Sequence, residues 1–393
     1  MSDTTAHRLL IEGWRFLPHS YAIVNQFQLL ELLNRPDVTL RHHDLPYLRN
    51  SWQPAGGLMP PGDEARLREI PAPLDAETFD VVYRIGFPLD LRPSPRASRT
   101  VAFIACEAGG LGPSEVAGNI PLAQAHRDGN AIIVTPSQWS RRGLLNSGAD
   151  PQRVKVIPHG VDGSLFQPLP PERKAQLRQR LGISDFTFFF TGSAMTPNKG
   201  TDLLLKAAAI VAQTHPQLRL LVKGVDALYR ARDFFGSAVR LLTQAELNRL
   251  QTRLRYEGVT MTFAQLAQIY QAADAYVSPY RAEGYNMPVL EAIASGLPVI
   301  CTRGGSTDDF TADEFALRID STQVPLPGPD AVGRYVLQPN LDHLVSLMKQ
   351  VMDDPTIGAR ARQAGPAFAA TNFTWRRVVD QLLEVCCPPN SGT

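Results

Sequence analysis

Short runs of consecutive apolar residues alternate along the whole chain with longer stretches whose apolar positions recur every three or four residues. The runs at 8–11, 81–85, 100–105, 131–135, 154–157, 186–191, 218–223, 275–278 and 298–302 predict strands. The longer stretches at 23–33, 139–147, 202–214, 244–256 and 263–272 predict helices. Such alternation implies right-handed β-α-β units, hence parallel sheets covered by helices on both faces. Burial on both faces also explains why "FTFFFTG" and "AFIAC" are apolar throughout. The stretch "QPLPPE" has neither period and divides two self-sufficient α/β sets. The final segment "NFTWRRVVDQLLEV" predicts an amphipathic helix with Trp375, Val378, Val379, Leu382 and Leu383 on one face.

The expected architecture is therefore α/β, with two doubly wound, Rossmann-like parallel-sheet domains and a cleft between them. The domains are expected at 1–168 (acceptor side) and 169–368 (donor binding), with a helix and tail at 369–393 packing back on the first. In such sheets ligands bind beyond the carboxyl ends of the strands, where loops lead into helices.

A length of 393 residues agrees with two domains. The net charge of +1 supplies no overall field for nucleic acid, and no nucleic-acid partner is expected. Arg230, Arg232, Arg240, Arg249, Arg253 and Arg255 form one basic stretch, which reads as a solvated helix face before it reads as a peripheral membrane contact. Four scattered cysteines without a CxxC pair exclude a disulfide framework and a structural zinc site, and fit a reducing, cytoplasmic setting. No signal-like or membrane-spanning apolar run is visible.

The candidate chemistry concentrates in "YVSPYRAEGYNMPVLEAIASGLPVICTRGG". A buried strand ends at Ser278, a polar loop holds Glu283 and Gly284, and Pro288 marks a helix start. The amides of Gly284, Tyr285, Asn286 and Met287 would then face a ligand as an anion site suited to a diphosphate. Glu291 is expected in the first helical turn. Taken alone, two acids separated by seven residues are more often ordinary surface acids.

The surroundings change that balance. This stretch resembles the retaining GT-B glycosyltransferases of glycosyltransferase family 4, whose E-x7-E motif is followed by an alanine-rich helix, a small residue, Gly, Pro and Val. Here those elements are Glu283, Glu291 and "AIASGLPVI". "VTPSQWSRRGLLNSGADPQRVKVIPHGVD", "TGSAMTPNKGTDLLLKAA" and "VTMTFAQLAQIYQAADAYVSPY" resemble the family's other landmarks, in its order. The resemblance implies a GT-B enzyme of hexosyl type that moves a sugar from a nucleoside diphosphate sugar to an acceptor hydroxyl with retention. The acceptor would be a carbohydrate, glycolipid or small molecule. No cofactor and no metal are implied.

Carried over by position, the resemblance puts Glu283 near the donor sugar and Glu291 on the ribose hydroxyls. It gives Lys199 the task of neutralising the leaving diphosphate, and it sets Gly284, Tyr285, Asn286 and Met287 around the phosphates. Where many relatives have an arginine after the glycine of the opening strand, this chain has Ser193, so Lys223, Arg281 or Arg303 would have to supply the missing charge. In the first domain the family's glycine-rich loop is replaced by His19, Ser20 and Tyr21, read either as acceptor contacts or, for Ser20, as a helix cap. Glu107 in "CEAGGLGP" is the candidate for orienting the acceptor, with a structural salt bridge as the competing account. His159 is read as structural. "GGSTDDF" is read as a flexible loop whose Asp308 and Asp309 are not expected to bind a metal. A sugar-nucleotide epimerase, a sugar phosphorylase and a sugar-nucleotide-binding module without turnover are the alternative readings.

Overall fold

The computed structural model of the chain describes residues 6–328, 331 and 333–388. They divide into two compact units, one of Met1–Gly160, Pro325–Tyr335 and Trp375–Thr393, the other of Val161–Val324 and Val336–Thr374. The chain thus passes from unit to unit at four places, and the return at Pro325–Tyr335 has no signal in the sequence pattern.

The first unit is built on a six-stranded sheet: β1 His7–Gly13, β2 Val38–Asp44, β3 Phe79–Ile85, β4 Ala97–Phe103, β5 Ile132–Thr135 and β6 Val154–Val156. The spatial order is β2-β1-β3-β4-β5-β6, and every pairing is parallel. Helix Trp375–Cys386 packs on helix Ser20–Leu32 through Trp375, whose ring stacks on Phe27 at 5.0 Å. Trp375, Val378, Val379 and Leu382 are buried, while Leu383 keeps partial exposure.

The second unit has β7 Thr187–Thr191, β8 Arg219–Lys223, β9 Leu254–Glu257, β10 Ala275–Ser278, β11 Val299–Thr302 and β12 Ala316–Ile319. Their order is β12-β11-β10-β7-β8-β9, again all parallel. The chain runs outward from β7 to β9 and then restarts with β10 on the other side of β7. The loops leaving β7 and β10 therefore flank the point where strand order reverses, which is where an open parallel sheet leaves room for a ligand. A two-stranded ribbon, β13 Ser321–Pro325 and β14 Tyr335–Pro339, follows.

Strands β10 and β11 are buried at every position, as their continuous apolar sequences require. The expected helix at 244–256 is instead helix Gln244–Leu250 followed by edge strand β9. Helix Phe263–Ala272 keeps its expected limits because Thr262 and Gln265 form a capping box at its start. The segment expected as a flexible loop contains a 3-10 turn, Ser306–Asp309. Its buried Thr307 exchanges hydrogen bonds with the Tyr280 hydroxyl at 2.8 and 3.2 Å. Among the described residues no helix is long and apolar enough to cross a membrane.

Candidate functional site

In the second unit the loops after β7 and β10 are tied to each other. The first contains the 3-10 turn Pro197–Lys199 and then Gly200, at φ 70°. A Cβ on Gly200 would stand 1.9 Å from the Pro279 carbonyl oxygen, so only glycine fits both the backbone angle and the space. The Asn198 carbonyl accepts the amides of Arg281 at 2.6 Å and Ala282 at 3.3 Å. With the loops fixed in this way, Lys199 Nζ lies 2.6 Å from Glu283 Oε1, and both side chains are largely buried. The two residues singled out for the reacting end of the ligand are therefore brought together.

Three residues on, Asn286 caps helix Met287–Ala294 from the left-handed region, at φ 73° and ψ 61°. Asparagine tolerates this region better than most residues, and here its side chain is also held, Nδ2 donating to Ser278 Oγ at 2.9 Å. The Tyr285 ring turns inward and stacks on Phe310 at 4.6 Å, so the residue is buried. The helix starts one residue earlier than expected, at Met287, with Pro288 second. This start places Glu291 beyond the first turn, in which the helix has no acid, so the helix dipole is not what favours it. Glu291 instead accepts a hydrogen bond from the Tyr270 hydroxyl at 2.8 Å. Desolvation pushes its pKa up to about 7, against the downward pull of that bond, so the ligand-free carboxyl is not fully ionised near neutral pH.

The candidate replacements for the missing arginine fare unequally. Arg281 makes a two-pronged contact with Asp202 at 2.7 Å on each branch and donates to Pro197 O, which commits it to holding the loop. Arg303 is exposed and lies 3.5 Å from Asp320. Lys223 is buried and donates to the Gly224 carbonyl, and desolvation lowers its pKa to about 8. It nonetheless stands close to the loop, since its carbonyl accepts the amide of Gly192, next to Ser193. The Ser193 carbonyl accepts the Val225 amide at 3.3 Å.

In the first unit His19 caps helix Ser20–Leu32, its Nδ1 accepting the Tyr21 amide at 3.1 Å. Ser20 is the first helical residue, exposed, and not the cap. Tyr21 packs edge-on against Phe103 at 5.2 Å, and its oxygen accepts the Ala105 amide at 3.5 Å. Burial pushes its hydroxyl well above the ordinary tyrosine range. Glu107 follows two residues after Ala105, so the residues of the helix start and Glu107 share one neighbourhood at the carboxyl edge of the sheet. The Glu107 side chain is exposed, and among the described residues no salt bridge of the kind weighed above engages it. Its carbonyl accepts Trp139 Nε1 at 2.7 Å. His159 is buried against Phe103 and Trp375, and desolvation lowers its pKa to about 3. It is a neutral packing group.

Sequence reasoning missed Tyr270, Asn198, Trp139 and Tyr335. Each acts across elements far apart in sequence, and none stands in a local pattern that signals its partner. In the basic stretch, Arg230, Arg232 and Arg255 pair with Asp233, Asp226 and Glu257, while Arg240 and Arg253 donate to neutral oxygens, so its charge is partly balanced. Among the described residues no group of three or more His, Cys, Asp or Glu is arranged to hold a metal ion.

Two parallel-sheet Rossmann-like units of this order match known folds over nearly the whole chain. Anabaena Alr3699/HepE in complex with UDP and glucose gives a TM-score of 0.68 at 16% identity, covering 96% of this chain and 99% of that one. WaaG, a glycosyltransferase involved in lipopolysaccharide biosynthesis, gives 0.62 at 14% identity, covering 97% and 100%. The fold is GT-B. Residues 185–323, which include the Lys199 and Glu283 loops, match the model of the family of glycosyl transferases group 1. A relative from Corynebacterium glutamicum, a GDP-mannose-dependent monoacylated alpha-(1-6)-phosphatidylinositol monomannoside mannosyltransferase, is 28% identical over 264 residues, 65% of this chain and 61% of that protein. The D-inositol 3-phosphate glycosyltransferase of Segniliparus rotundus is 36% identical over 174 residues, 43% of this chain and 36% of the other. The chain thus spans 61% and 36% of the lengths of these two relatives.

Proposed function

We propose that this chain is a retaining, hexosyl-type glycosyltransferase that moves a sugar from a nucleoside diphosphate sugar to an acceptor hydroxyl. The observation that carries the reading is the Lys199 and Glu283 pair at 2.6 Å, standing where the strand order reverses and three residues before the cap of helix Met287–Ala294. A diphosphate needs positive charge where its bond to the anomeric carbon breaks, and a lysine with helix-terminal amides supplies it. The amides of Gly284 to Met287 cradle the phosphates, Ser193 adds a hydroxyl donor, and Lys223 supplies the second charge from its place beside Gly192. Glu291, once ionised, accepts from the ribose hydroxyls. Glu283 faces the donor sugar, and the attacking hydroxyl enters on the face the leaving phosphate departs from, so that phosphate takes its proton.

The donor-binding part is assigned to 169–368 and the acceptor-side part to 1–168, where His19, Ser20, Tyr21 and Glu107 contact the acceptor. The named relatives use GDP-mannose or an inositol phosphate, and the structural neighbour binds UDP and glucose. A nucleotide sugar and a carbohydrate or lipid-linked acceptor are thus the classes to supply. The test is turnover of UDP-glucose and GDP-mannose by the full chain and by Lys199→Ala and Glu283→Ala. Both variants should fold and lose roughly a thousandfold in turnover. Near-normal turnover in either one removes it from the reacting centre.

A further inference from the structure

The loop 107–112 contains three glycines, none in the left-handed region. Gly109 is needed for close approach instead, and Gly110 and Gly112 lie in tight contact with one side chain. A Cβ on Gly109 would stand 2.3 Å from the Tyr335 ring, one on Gly110 3.2 Å from Arg334 Cγ, and one on Gly112 2.9 Å from Arg334 Nη1. All three neighbours come from two adjacent residues, 224 positions further along the chain in the case of Arg334 and Gly110.

The segment is bonded as well as packed. Gly109 N–H donates to the Tyr335 carbonyl at 2.8 Å, and Arg334 Nε donates to the Gly110 carbonyl at 3.0 Å. Arg334 also pairs with Glu115 at 3.0 Å, and Glu115 accepts the Gly112 amide at 2.7 Å. The Tyr335 ring meets Trp139 edge-on at 5.6 Å, and Trp139 donates to the Glu107 carbonyl. A glycine-rich loop has more backbone freedom to lose than any other, and these contacts are what remove it.

We propose that Arg334 and Tyr335 are positioning residues that hold the Glu107 loop in its working shape. The functional half of this rests on the reading above, in which Glu107 orients the acceptor. Hydrogen exchange of the full chain, followed over 107–112, compares Tyr335→Ala, Tyr335→Phe, Arg334→Glu and the exchange of charges Arg334→Glu with Glu115→Arg. Exchange should speed up about tenfold in Tyr335→Ala and in Arg334→Glu. It should stay at the wild-type rate in Tyr335→Phe, with no change over 283–291. The charge-swapped double variant should recover only the part owed to the ion pair, since the exchanged side chains can neither donate to the Gly110 carbonyl nor accept the Gly112 amide. In parallel, kcat with UDP-glucose or GDP-mannose should fall about tenfold while the donor KM holds, because only positioning is lost. If Tyr335→Ala does not fold, Arg334→Glu against the wild type, with the partial recovery in the double variant, carries the test. Unchanged exchange in folded Tyr335→Ala or Arg334→Glu overturns the proposal. Faster exchange with unchanged kcat leaves the loop support standing and removes Glu107 from the reaction.

Discussion

The two units use the same architecture in opposite electrostatic styles. The second builds its candidate site from a close ion pair, an acid beside a tyrosine hydroxyl and a glycine that lets two loops touch. The first surrounds its candidate residues with rings, Trp14, His19, Tyr21, Phe103, His159 and Trp375, and with buried polar groups that are incompletely matched. Among the described residues Asn25 Oδ1, Gln26 Nε2, Thr135 Oγ1 and Trp375 Nε1 find no partner in this unit, against Ser295 Oγ and Ser306 Oγ in the other. Buried amides and an indole N–H cost more to leave unmatched than a hydroxyl that can rotate. A charged site is set by a few close contacts, whereas an aromatic one depends on the stability of the whole unit around it.

The largest effect should come from breaking the close approach in the second unit. Gly200→Ala sets a Cβ against the Pro279 carbonyl and strains a positive φ, and should cost more than about 3 kcal/mol in the urea stability of that unit. A loss below about 1 kcal/mol would mean that the loops are not locked to each other. The first unit should instead be the acid-sensitive one. His42 and His159 have folded pKa values near 3, lowered chiefly by burial. The unfolded chain therefore takes up protons below its ordinary histidine pKa of about 6.5 while the folded one does not, and stability falls as pH drops. Each histidine contributes up to about 1.4 kcal/mol per pH unit between roughly pH 6.5 and pH 3. Hydrogen exchange between pH 6.5 and 5 should show the first unit opening ahead of the second, and His159→Gln should reduce the slope.

Glu291 runs the other way. Its folded pKa, raised to about 7, means that the folded state holds a proton the unfolded chain has released above about pH 4.5. Its contribution to stability is therefore lost as pH rises through that window. A nucleotide whose ribose needs the ionised form should bind about tenfold more tightly at pH 8 than at pH 6. Titration of UDP into Glu291→Gln should flatten that profile, and a profile unchanged by the substitution would detach Glu291 from the ribose.

The contrast between the units also explains what could be read from sequence. Strands β7, β10 and β11 sit inside their sheet and are apolar along their whole length, so they stand out. Strands β2, β9 and β12 are sheet edges interrupted by polar positions such as His43, Glu257 and Arg318 and escaped detection, whereas the edge strand β6, with Val154 and Val156, was found. The acid motif was legible because its parts are contiguous and its cap needs a residue tolerant of positive φ. What Tyr270 does for Glu291, or Tyr335 for Gly109, depends on chain crossings that no local pattern encodes. The helix dipole was assigned to Glu291 because one residue of uncertainty in a helix start decides which residues fall in its first turn.

The central claim is that Lys199 and Glu283 divide the work at one diphosphate site, and calorimetric titration of UDP and GDP into the two alanine variants tests it most directly. Lys199→Ala should weaken binding of whichever nucleotide the wild type accepts by roughly 10- to 100-fold, the loss of one charge-assisted contact. Glu283→Ala should bind that nucleotide as well as the wild type or better, because Lys199 no longer shares its charge with a carboxylate, even though turnover is gone. Equal affinity in Lys199→Ala and wild type, or a matching loss in both variants, would contradict the account.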